Sequence, residues 1–205
     1  MKKFTLAAAA IAAALPSSAA LAQEAPAFGG LYAGALAGYD HVKISGFGQS
    51  ESRDGATFGA IVGYDMALSG AIVGVEAEAS GSSVKEEVND YPTVGAAASL
   101  KAGRDLYIGV RAGAAVLPST LVYLKGGYTN ARVILNYDDG AGFAFSEADN
   151  LDGYRIGAGV EQAFGRLRAR LEYRYSDYNE AQYNGVNLGA DAKRHQVVVA
   201  LVGNF

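Results

Sequence analysis

The chain of 205 residues contains no cysteine. Without a thiol it has neither a disulfide framework nor the modified cysteine that anchors a lipoprotein. Proline is scarce, with four residues, whereas glycine (27) and tyrosine (13) are abundant. Tyrosine is enriched in strands, and this composition is typical of closely packed β structure.

Long apolar runs are also missing after the N-terminal region. From Gln23 onward, glycine, aspartate, arginine or lysine interrupts every apolar stretch well before the roughly 18 residues that indicate a transmembrane helix. An excess of positive charge is absent too, because 17 Lys and Arg stand against 21 Asp and Glu. A nucleic-acid partner, which requires a basic patch, is therefore not expected.

The N-terminus has the pattern of a secretion signal. Lys2 and Lys3 precede an apolar run over residues 4–15, and a small-residue segment ends in the cleavage pattern Ala20-Leu21-Ala22. The run is shorter than the roughly 20 residues that span a bilayer. We predict a cleaved signal peptide over residues 1–22, export through the secretory pathway, and one mature domain over residues 23–205.

The mature sequence is dominated by alternation with a period of two, which indicates strands. In "LRARLEYRYSDY" every second residue, including Leu167 and Leu171, falls on one side of the strand, and the charged residues between them fall on the other side. Similar runs predict eight strands, with the parity of the first, "LYAGALAGYD", left ambiguous. We merge the segment 93–103 with the strand that follows, because its alternation continues through Ala98 and Ala102 to Leu106.

The predicted connections alternate in length. Long polar segments lie near residues 42–55, 81–90, 131–150 and 179–192, and tight turns lie near residues 68–70, 117–119 and 164–166. This alternation is typical of transmembrane barrels with long extracellular loops and short periplasmic turns. An even strand count is expected for such a barrel.

The pattern alone leaves two polarities open. A soluble periplasmic barrel of lipocalin type would bury the apolar face, whereas a membrane barrel turns that face to lipid and the charged face to its lumen. Aromatic girdles favour the membrane. Phe164 and Phe205 are expected to mark one rim of the barrel. The apolar face also carries tyrosines near predicted strand ends: Tyr64, Tyr128, Tyr154, Tyr173 and Tyr175.

A family resemblance supports the membrane polarity. The stretches "VGVEAEASG", "LVYLKGGYTNARV", "GYRIGAGVEQAF", "LRARLEYRYSDY" and "RHQVVVALVGNF" resemble, in order, strands of the small opacity-porin-like outer-membrane barrels of Gram-negative bacteria, and the α-proteobacterial surface-antigen branch most. The resemblance implies an all-β, eight-stranded antiparallel transmembrane β-barrel with up-and-down topology. It also implies that Phe205 is the C-terminal aromatic signature read by the barrel-assembly machinery. It leaves the activity open, since such barrels include adhesins, structural proteins, pores and lipid-modifying enzymes.

With the apolar face in lipid, the charged face becomes the lining of the lumen. An eight-stranded interior is just wide enough for side chains to fill, and an unpaired buried charge is costly. We therefore predict a paired, structural ionic network that plugs the lumen; a narrow conducting path is the alternative. Small inward residues such as Gly63 and Gly159 would leave room for arginines. The network consists of Asp65, Glu76, Glu78, Arg111, Lys125, Arg155, Glu161, Arg168, Arg170, Glu172 and Arg174.

No catalytic, cofactor-binding or metal-binding residues are predicted. His41 and His195 lie near the loop ends of strands, and no serine adjoins His195, so a lipid-modifying enzyme is a weaker alternative. Glu76 and Glu78 would suit acid–base chemistry only in an open cleft. The acidic residues of segment 138–152 do not follow EF-hand spacing, which leaves weak divalent binding open.

The sequence thus predicts a monomeric, non-enzymatic protein of the outer membrane with a structural, surface-contact or adhesive role. Its expected partners are outer-membrane lipid and lipopolysaccharide, the assembly machinery, and a host or surface ligand of the extracellular loops. A small pore is the main rival.

Overall fold

The computed structural model describes residues 28–46, 49–89, 97–178, 182–183, 186–187 and 191–205, and the strands account for nearly all of them. The predicted signal peptide lies outside these residues. Within them, no helix is long and apolar enough to cross a membrane. Eleven strands occur in the described part: β1 Gly30–Gly46, β2 Gln49–Leu68, β3 Ala71–Ser82, β4 Lys85–Asn89, β5 Ala97–Leu117, β6 Thr120–Asp138, β7 Ala144–Phe164, β8 Leu167–Tyr178, β9 Gln182–Tyr183, β10 Val186–Asn187 and β11 Asp191–Asn204.

Eight strand positions close into an antiparallel ring. The order β3-β2-β1-β11-β8-β7-β6-β5 is closed by pairing of β3 with β5, so every ring strand has two neighbours. The short β4 continues the pairing with β5 after β3 has ended, and it shares the ring position of β3. Strands β9 and β10 follow β8 and precede β11 in the sequence, and they form a separate two-stranded sheet. The prediction of an eight-stranded up-and-down barrel is confirmed.

Strand β5 is one strand, as predicted, but its alternation is not continuous. The register with β6 shifts between Ala102 and Asp105, because a bulge inserts an extra residue. As a result, Ala98 and Ala102 share a face with Asp105 instead of Leu106. The expectation that Ala98 and Leu106 lie on the same face is wrong, since alternation in sequence cannot reveal a bulge.

Two of the predicted long loops are mostly strand. The pairing of β1 with β2 continues to Gly46↔Gln49, and that of β6 with β7 continues to Asp138↔Ala144. These segments lack an apolar face, and for this reason the sequence pattern predicted loops. A strand outside a bilayer needs no such face. The tight turns lie where they were predicted, and two of them contain glycines with positive φ, Gly70 at 78° and Gly165 at 64°.

The apolar face lies outside. Leu171 and Val199 are 51% and 56% exposed, whereas Arg170 and Glu172 are 3% and 2% exposed. Exposed apolar surface on this scale marks contact with something other than water, and a soluble barrel with an apolar interior is excluded. The first strand follows the same rule, because Tyr32, Leu36 and Asp40 are buried and Leu31 and Tyr39 face outward.

The predicted aromatic positions also face outward. Tyr128 and Tyr154 lie directly opposite each other on β6 and β7, while Phe164 and Phe205 lie at the end of the barrel with the tight turns. Tyr64 differs from the other tyrosines, because it lies only a few residues before the turn at residues 69–70.

Candidate functional site

The barrel interior is lined by buried ions of both signs. Within the described residues the buried set contains seven cations and seven carboxylates, and it includes every residue of the predicted network. Asp40, Asp105 and Arg194 join them without having been predicted. The cations are Arg111, Lys125, Arg155, Arg168, Arg170, Arg174 and Arg194; the carboxylates are Asp40, Asp65, Glu76, Glu78, Asp105, Glu161 and Glu172.

The first layer of this network lies near the tight turns. Arg168 Nη1 donates to Asp65 Oδ2 and Glu161 Oε2, at 3.0 Å each. Arg111 Nη1 donates to Glu161 Oε1 at 2.6 Å, and its Nε lies 3.2 Å from Asp65 Oδ1. Charge-assisted contacts of this length are stronger than neutral hydrogen bonds. Two arginines and two carboxylates therefore form a closed square across the barrel.

The middle layer is centred on Lys125. Its Nζ lies 2.9 Å from Glu76 Oε1, 2.5 Å from Glu78 Oε1 and 2.8 Å from Glu172 Oε1. Within the described residues these three glutamates form the one acidic group whose oxygens are close enough to share a metal ion. The ammonium lies among those oxygens and supplies the cation that the cluster needs.

Two further arginines extend the network, and Arg170 connects its first two layers. Arg170 Nη1 donates to Glu76 Oε2 at 2.6 Å, and its Nε donates to Glu161 Oε1 at 3.0 Å. Arg174 Nη1 donates to Glu78 Oε2 at 2.5 Å. The first and middle layers are thus one continuous hydrogen-bonded network.

The third layer lies toward the extracellular end and was largely missed by sequence reasoning. Asp105 Oδ2 accepts from Arg155 Nη2 at 2.5 Å, from Arg194 Nη1 at 2.6 Å and from the Tyr178 hydroxyl at 3.2 Å. Arg194 Nε also donates to Asp40 Oδ1 at 2.7 Å. Arg194 is the first residue of the stretch "RHQVVVALVGNF" but was not assigned to the charged face, and Asp40 belongs to the strand of ambiguous parity. Reading the alternation of β11 backward from Val202 would have placed Arg194 inside.

Tyrosine rings line the same interior. The hydroxyls of Tyr32 and Tyr123 donate to Glu76 Oε2 at 2.7 Å and Glu172 Oε2 at 2.5 Å. The Arg168 guanidinium lies 4.5 Å from the centroid of the Tyr32 ring, and that of Arg111 lies 4.5 Å from the Tyr123 centroid. Such cation–π contacts stabilise a desolvated guanidinium. This matters because Nη2 of both arginines has no hydrogen-bond partner within the described residues.

The inward glycines leave room for these rings. A Cβ on Gly63 would lie 2.3 Å from the Tyr32 hydroxyl, and a Cβ on Gly159 would lie 2.5 Å from the Tyr123 hydroxyl. In both cases the glycine and the tyrosine are directly opposite on neighbouring strands. The expectation that arginines fill this space is wrong at these two positions, because each tyrosine ring lies over the glycine opposite it.

The other candidate residues lie away from the ionic network. His41 and His195 are on the outer face, at facing positions of β1 and β11. Phe205 is 82% exposed, and its backbone nitrogen donates to Leu31 O at 2.9 Å.

The acidic segment forms a hairpin instead of a compact ion site. Asp139 Oδ1 accepts from the backbone nitrogens of Ala141 and Phe143, at 2.8 and 2.9 Å. These donors lower the pKa of the Asp139 carboxyl. Asp152 accepts from Tyr128 and, at 2.7 Å, from Asn130 Nδ2. Among the described residues of this segment, no three acidic side chains meet at metal-binding distance.

A pocket of about 440 Å³ lies in the extended sheet beyond the barrel ring. It is lined by parts of β5, β6 and β7, including Ser99, Asn136, Tyr137, Phe145 and Ser146. The rings of Tyr137 and Phe145 contact each other, with centroids 5.5 Å apart. The pocket is thus separated from the ionic interior.

Comparison with known proteins agrees with this geometry. The family model "Outer membrane protein beta-barrel domain" matches residues 7–205. No curated protein matches the chain.

Three solved structures are similar to this chain, and the first of them supports the same fold. Neisserial surface protein A is 16% identical, with a TM-score of 0.53 over 85% of this chain and 97% of that protein. The attachment invasion locus protein Ail of Yersinia pestis is 10% identical, with a TM-score of 0.49 over 84% and 99%. The outer membrane protease OmpT of Escherichia coli is 8% identical, with a TM-score of 0.48 over 85% and 96%.

Proposed function

The chain belongs to the outer membrane protein β-barrel domain family, and from this premise we propose that it is a monomeric, non-enzymatic envelope protein with a plugged lumen and an extracellular contact surface. It lies in the outer membrane, with its apolar exterior in contact with lipid. The observation that carries the proposal is the balanced set of fourteen ionic side chains, all buried inside one narrow ring.

The plug is supported by how the charges are held. An eight-stranded ring leaves an interior that side chains can fill, and here the charges of the first two layers are joined by contacts of 2.5–3.2 Å. Movement of an ion along the axis would require several of these contacts to open together. Each opening would leave a buried charge without its partner, which is costly.

Single-channel recording tests the plug. The refolded protein in a planar bilayer is expected to give no resolved conductance steps. The variant Arg111→Ala/Arg168→Ala, which removes both cations of the first layer, is expected to open a leak. A variant on the outer face, Lys43→Gln, is the matched control and is expected to stay silent. Regular conductance steps from the unmodified protein would overturn the plug and favour the small pore.

The contact surface is supported by the strands that project beyond the ring. Strand β7 pairs with β6 from Ala144 to Gln162, but its pairing with β8 begins only at Gly153. Within the described residues, the other edge of β7 over residues 144–152 therefore has unpaired backbone groups, and residues 144–150 are exposed. An open edge of this kind can pair with an extended segment of another protein.

Replacing backbone donors on this edge tests the contact role. Proline at an edge position removes a donor without changing charge, so Ala148→Pro is expected to reduce adhesion of expressing cells to a host-cell layer. Ala148→Ser, which keeps the backbone donor at the same position, is the matched control and is expected to leave adhesion unchanged. Equal adhesion by all three strains would overturn the role proposed for the edge.

The non-enzymatic role has its own test. Lipid A from cells with and without the protein is expected to give the same mass spectrum. A change in acylation would overturn this part of the proposal and favour the lipid-modifying alternative. Lipopolysaccharide is the lipid that surrounds the barrel, and Phe205 is the signature that the assembly machinery reads. The protein's partners on the outside are surface or host molecules.

A further inference from the structure

The two histidines lie side by side on the outer face of the barrel. His41 of β1 and His195 of β11 are directly opposite in the register of the two strands, and their ring centroids are 6.4 Å apart. Opposite residues of an antiparallel pair project from the same face with Cβ atoms about 4.5–5.5 Å apart. Both imidazoles therefore extend from the wall at one height, although they come from opposite ends of the chain.

Each imidazole is held through the same ring nitrogen. His41 Nδ1 lies 2.6 Å from Asp54 Oδ1, and His195 Nδ1 lies 2.7 Å from the Tyr173 hydroxyl. Tyr175 packs against the His195 ring at a centroid distance of 5.0 Å. Within the part of the chain that the structure describes, neither Nε2 atom has a hydrogen-bond partner. The two Nε2 atoms are therefore the available ligand atoms.

This arrangement is typical of histidines that bind metal ions. A metal-ligating histidine usually donates its other ring N–H to a carboxylate or another oxygen, which fixes the tautomer and the ring orientation. Asp54 serves His41 in this way, and the Tyr173 hydroxyl can serve His195. With metal–nitrogen bonds of about 2.0 Å, the centroids of two rings that share an ion are about 5–6 Å apart. Small changes in side-chain torsion would bring the present 6.4 Å into this range.

We propose that His41 and His195 form a two-histidine site on the outer face for a first-row divalent transition-metal ion, such as Cu²⁺ or Zn²⁺, with water as the remaining ligands. Imidazole nitrogen suits these ions, whereas Ca²⁺ and Mg²⁺ prefer oxygen. The site is distinct from the interior network and from the acidic hairpin.

The neighbouring charges favour a cation over an anion such as phosphate. Asp54 is in direct contact with His41, and its carboxylate would repel an anion held by the same imidazole. Lys43 and Lys193 form the next facing pair, and Asp177 is opposite Lys193 on β8. Two lysines and two aspartates thus surround the pair, and a metal ion meets no net positive charge.

The metal-binding test is simplified because the chain has no cysteine and no other histidine that would compete for the ion. The untagged protein, folded in detergent micelles, is titrated with Cu²⁺ and followed by electron paramagnetic resonance, and with Zn²⁺ by calorimetry. We expect one ion per chain and a Cu²⁺ spectrum with coupling to two nitrogens. In His41→Gln and in His195→Gln the Cu²⁺ spectrum should show coupling to only one nitrogen. Neither variant should bind Zn²⁺ with the wild-type affinity in calorimetry.

Two further variants separate the site from a general surface effect. Asp54→Asn keeps both imidazoles but removes the carboxylate behind one of them, and such changes typically weaken metal binding by about 10–100-fold. Lys43→Gln changes a neighbouring charge and should keep the two-nitrogen signal. Heat-modifiable gel migration confirms that each variant is folded. No binding to the unmodified protein, or equal binding by the variant His41→Gln/His195→Gln, would overturn the site.

Discussion

The hairpin of β6 and β7 passes through two environments, and its side chains change pattern where the environment changes. Inside the ring, Leu121, Tyr123 and Lys125 are buried while Val122 and Leu124 between them are exposed. Beyond residue 130 this alternation fades, and residues 144–150 are exposed on both faces. The backbone pairing nevertheless continues to the hairpin tip. Alternation of buried and exposed side chains therefore indicates that a strand separates the lumen from lipid. Strand pairing continues where there is no such separation.

The largest effect is expected from the cation at the centre of the interior. Lys125→Met leaves Glu76, Glu78 and Glu172 without the ammonium that joins them. Removing one partner of a buried ionic contact typically costs about 3–5 kcal/mol. The free energy of unfolding in urea, followed by gel mobility, should fall by this amount. Arg132→Met, on the exposed part of β6, is the control and should change it little.

A charge on the lipid side should be the next most damaging change. Leu171 lies in the middle of β8 and points outward, and an arginine at the bilayer midplane of such a barrel costs about 2–4 kcal/mol. We expect Leu171→Arg to lower the unfolding free energy in lipid vesicles by this amount. Ser146→Arg, in the exposed part of β7, should stay within about 0.5 kcal/mol of the unmodified protein. Equal losses would show that the two regions do not differ in environment.

The two faces of one hairpin allow a matched pair of glycine substitutions. Gly159→Ala places a methyl group 2.5 Å from the Tyr123 hydroxyl inside the ring, and overpacking of this kind costs about 1–3 kcal/mol. Gly126 faces outward, where the nearest atom to an added Cβ is 3.8 Å away. Gly126→Ala should therefore be close to neutral in the same unfolding assay. A neutral Gly159→Ala would show that the ring of Tyr123 is not held over the glycine.

The membrane part of the fold could largely be predicted from sequence because lipid and lumen impose opposite chemistry on alternate residues. Strand β8 shows this best, since the spacing of Arg168, Arg170, Glu172 and Arg174 placed them on one face, and the membrane polarity then placed that face inside. The bulge near Gly103 and the inward position of Asp40 in the third ionic layer could not be predicted in this way. The bulge changes parity without changing composition, and Asp40 lies in a strand whose two faces are both small and apolar.

The outer histidine pair shows a different limit of sequence reasoning. Each histidine was predicted near the loop end of a strand, although β1 continues beyond His41 to Gly46. Their contact depends on the register between β1 and β11. These strands come from opposite ends of the chain and meet when the barrel closes. A pattern within one strand carries no information about that register. Contacts of this kind, unlike inside-outside polarity, require the closed ring.

The smallest effect is expected at the tip of the β6–β7 hairpin, where an exposed carboxylate orders the turn. The pKa of Asp139 is lowered because backbone N–H groups of Ala141 and Phe143 donate to its ionised form. The resulting local stability is therefore present above the unfolded pKa of about 3.9 and is lost as the pH falls through the lower folded value. Amide NMR shifts of Ala141 and Phe143 should follow this titration, and Asp139→Ala should abolish it. The signals of the ring strands should stay unchanged in that variant, since the tip lies beyond the closed ring of eight strands.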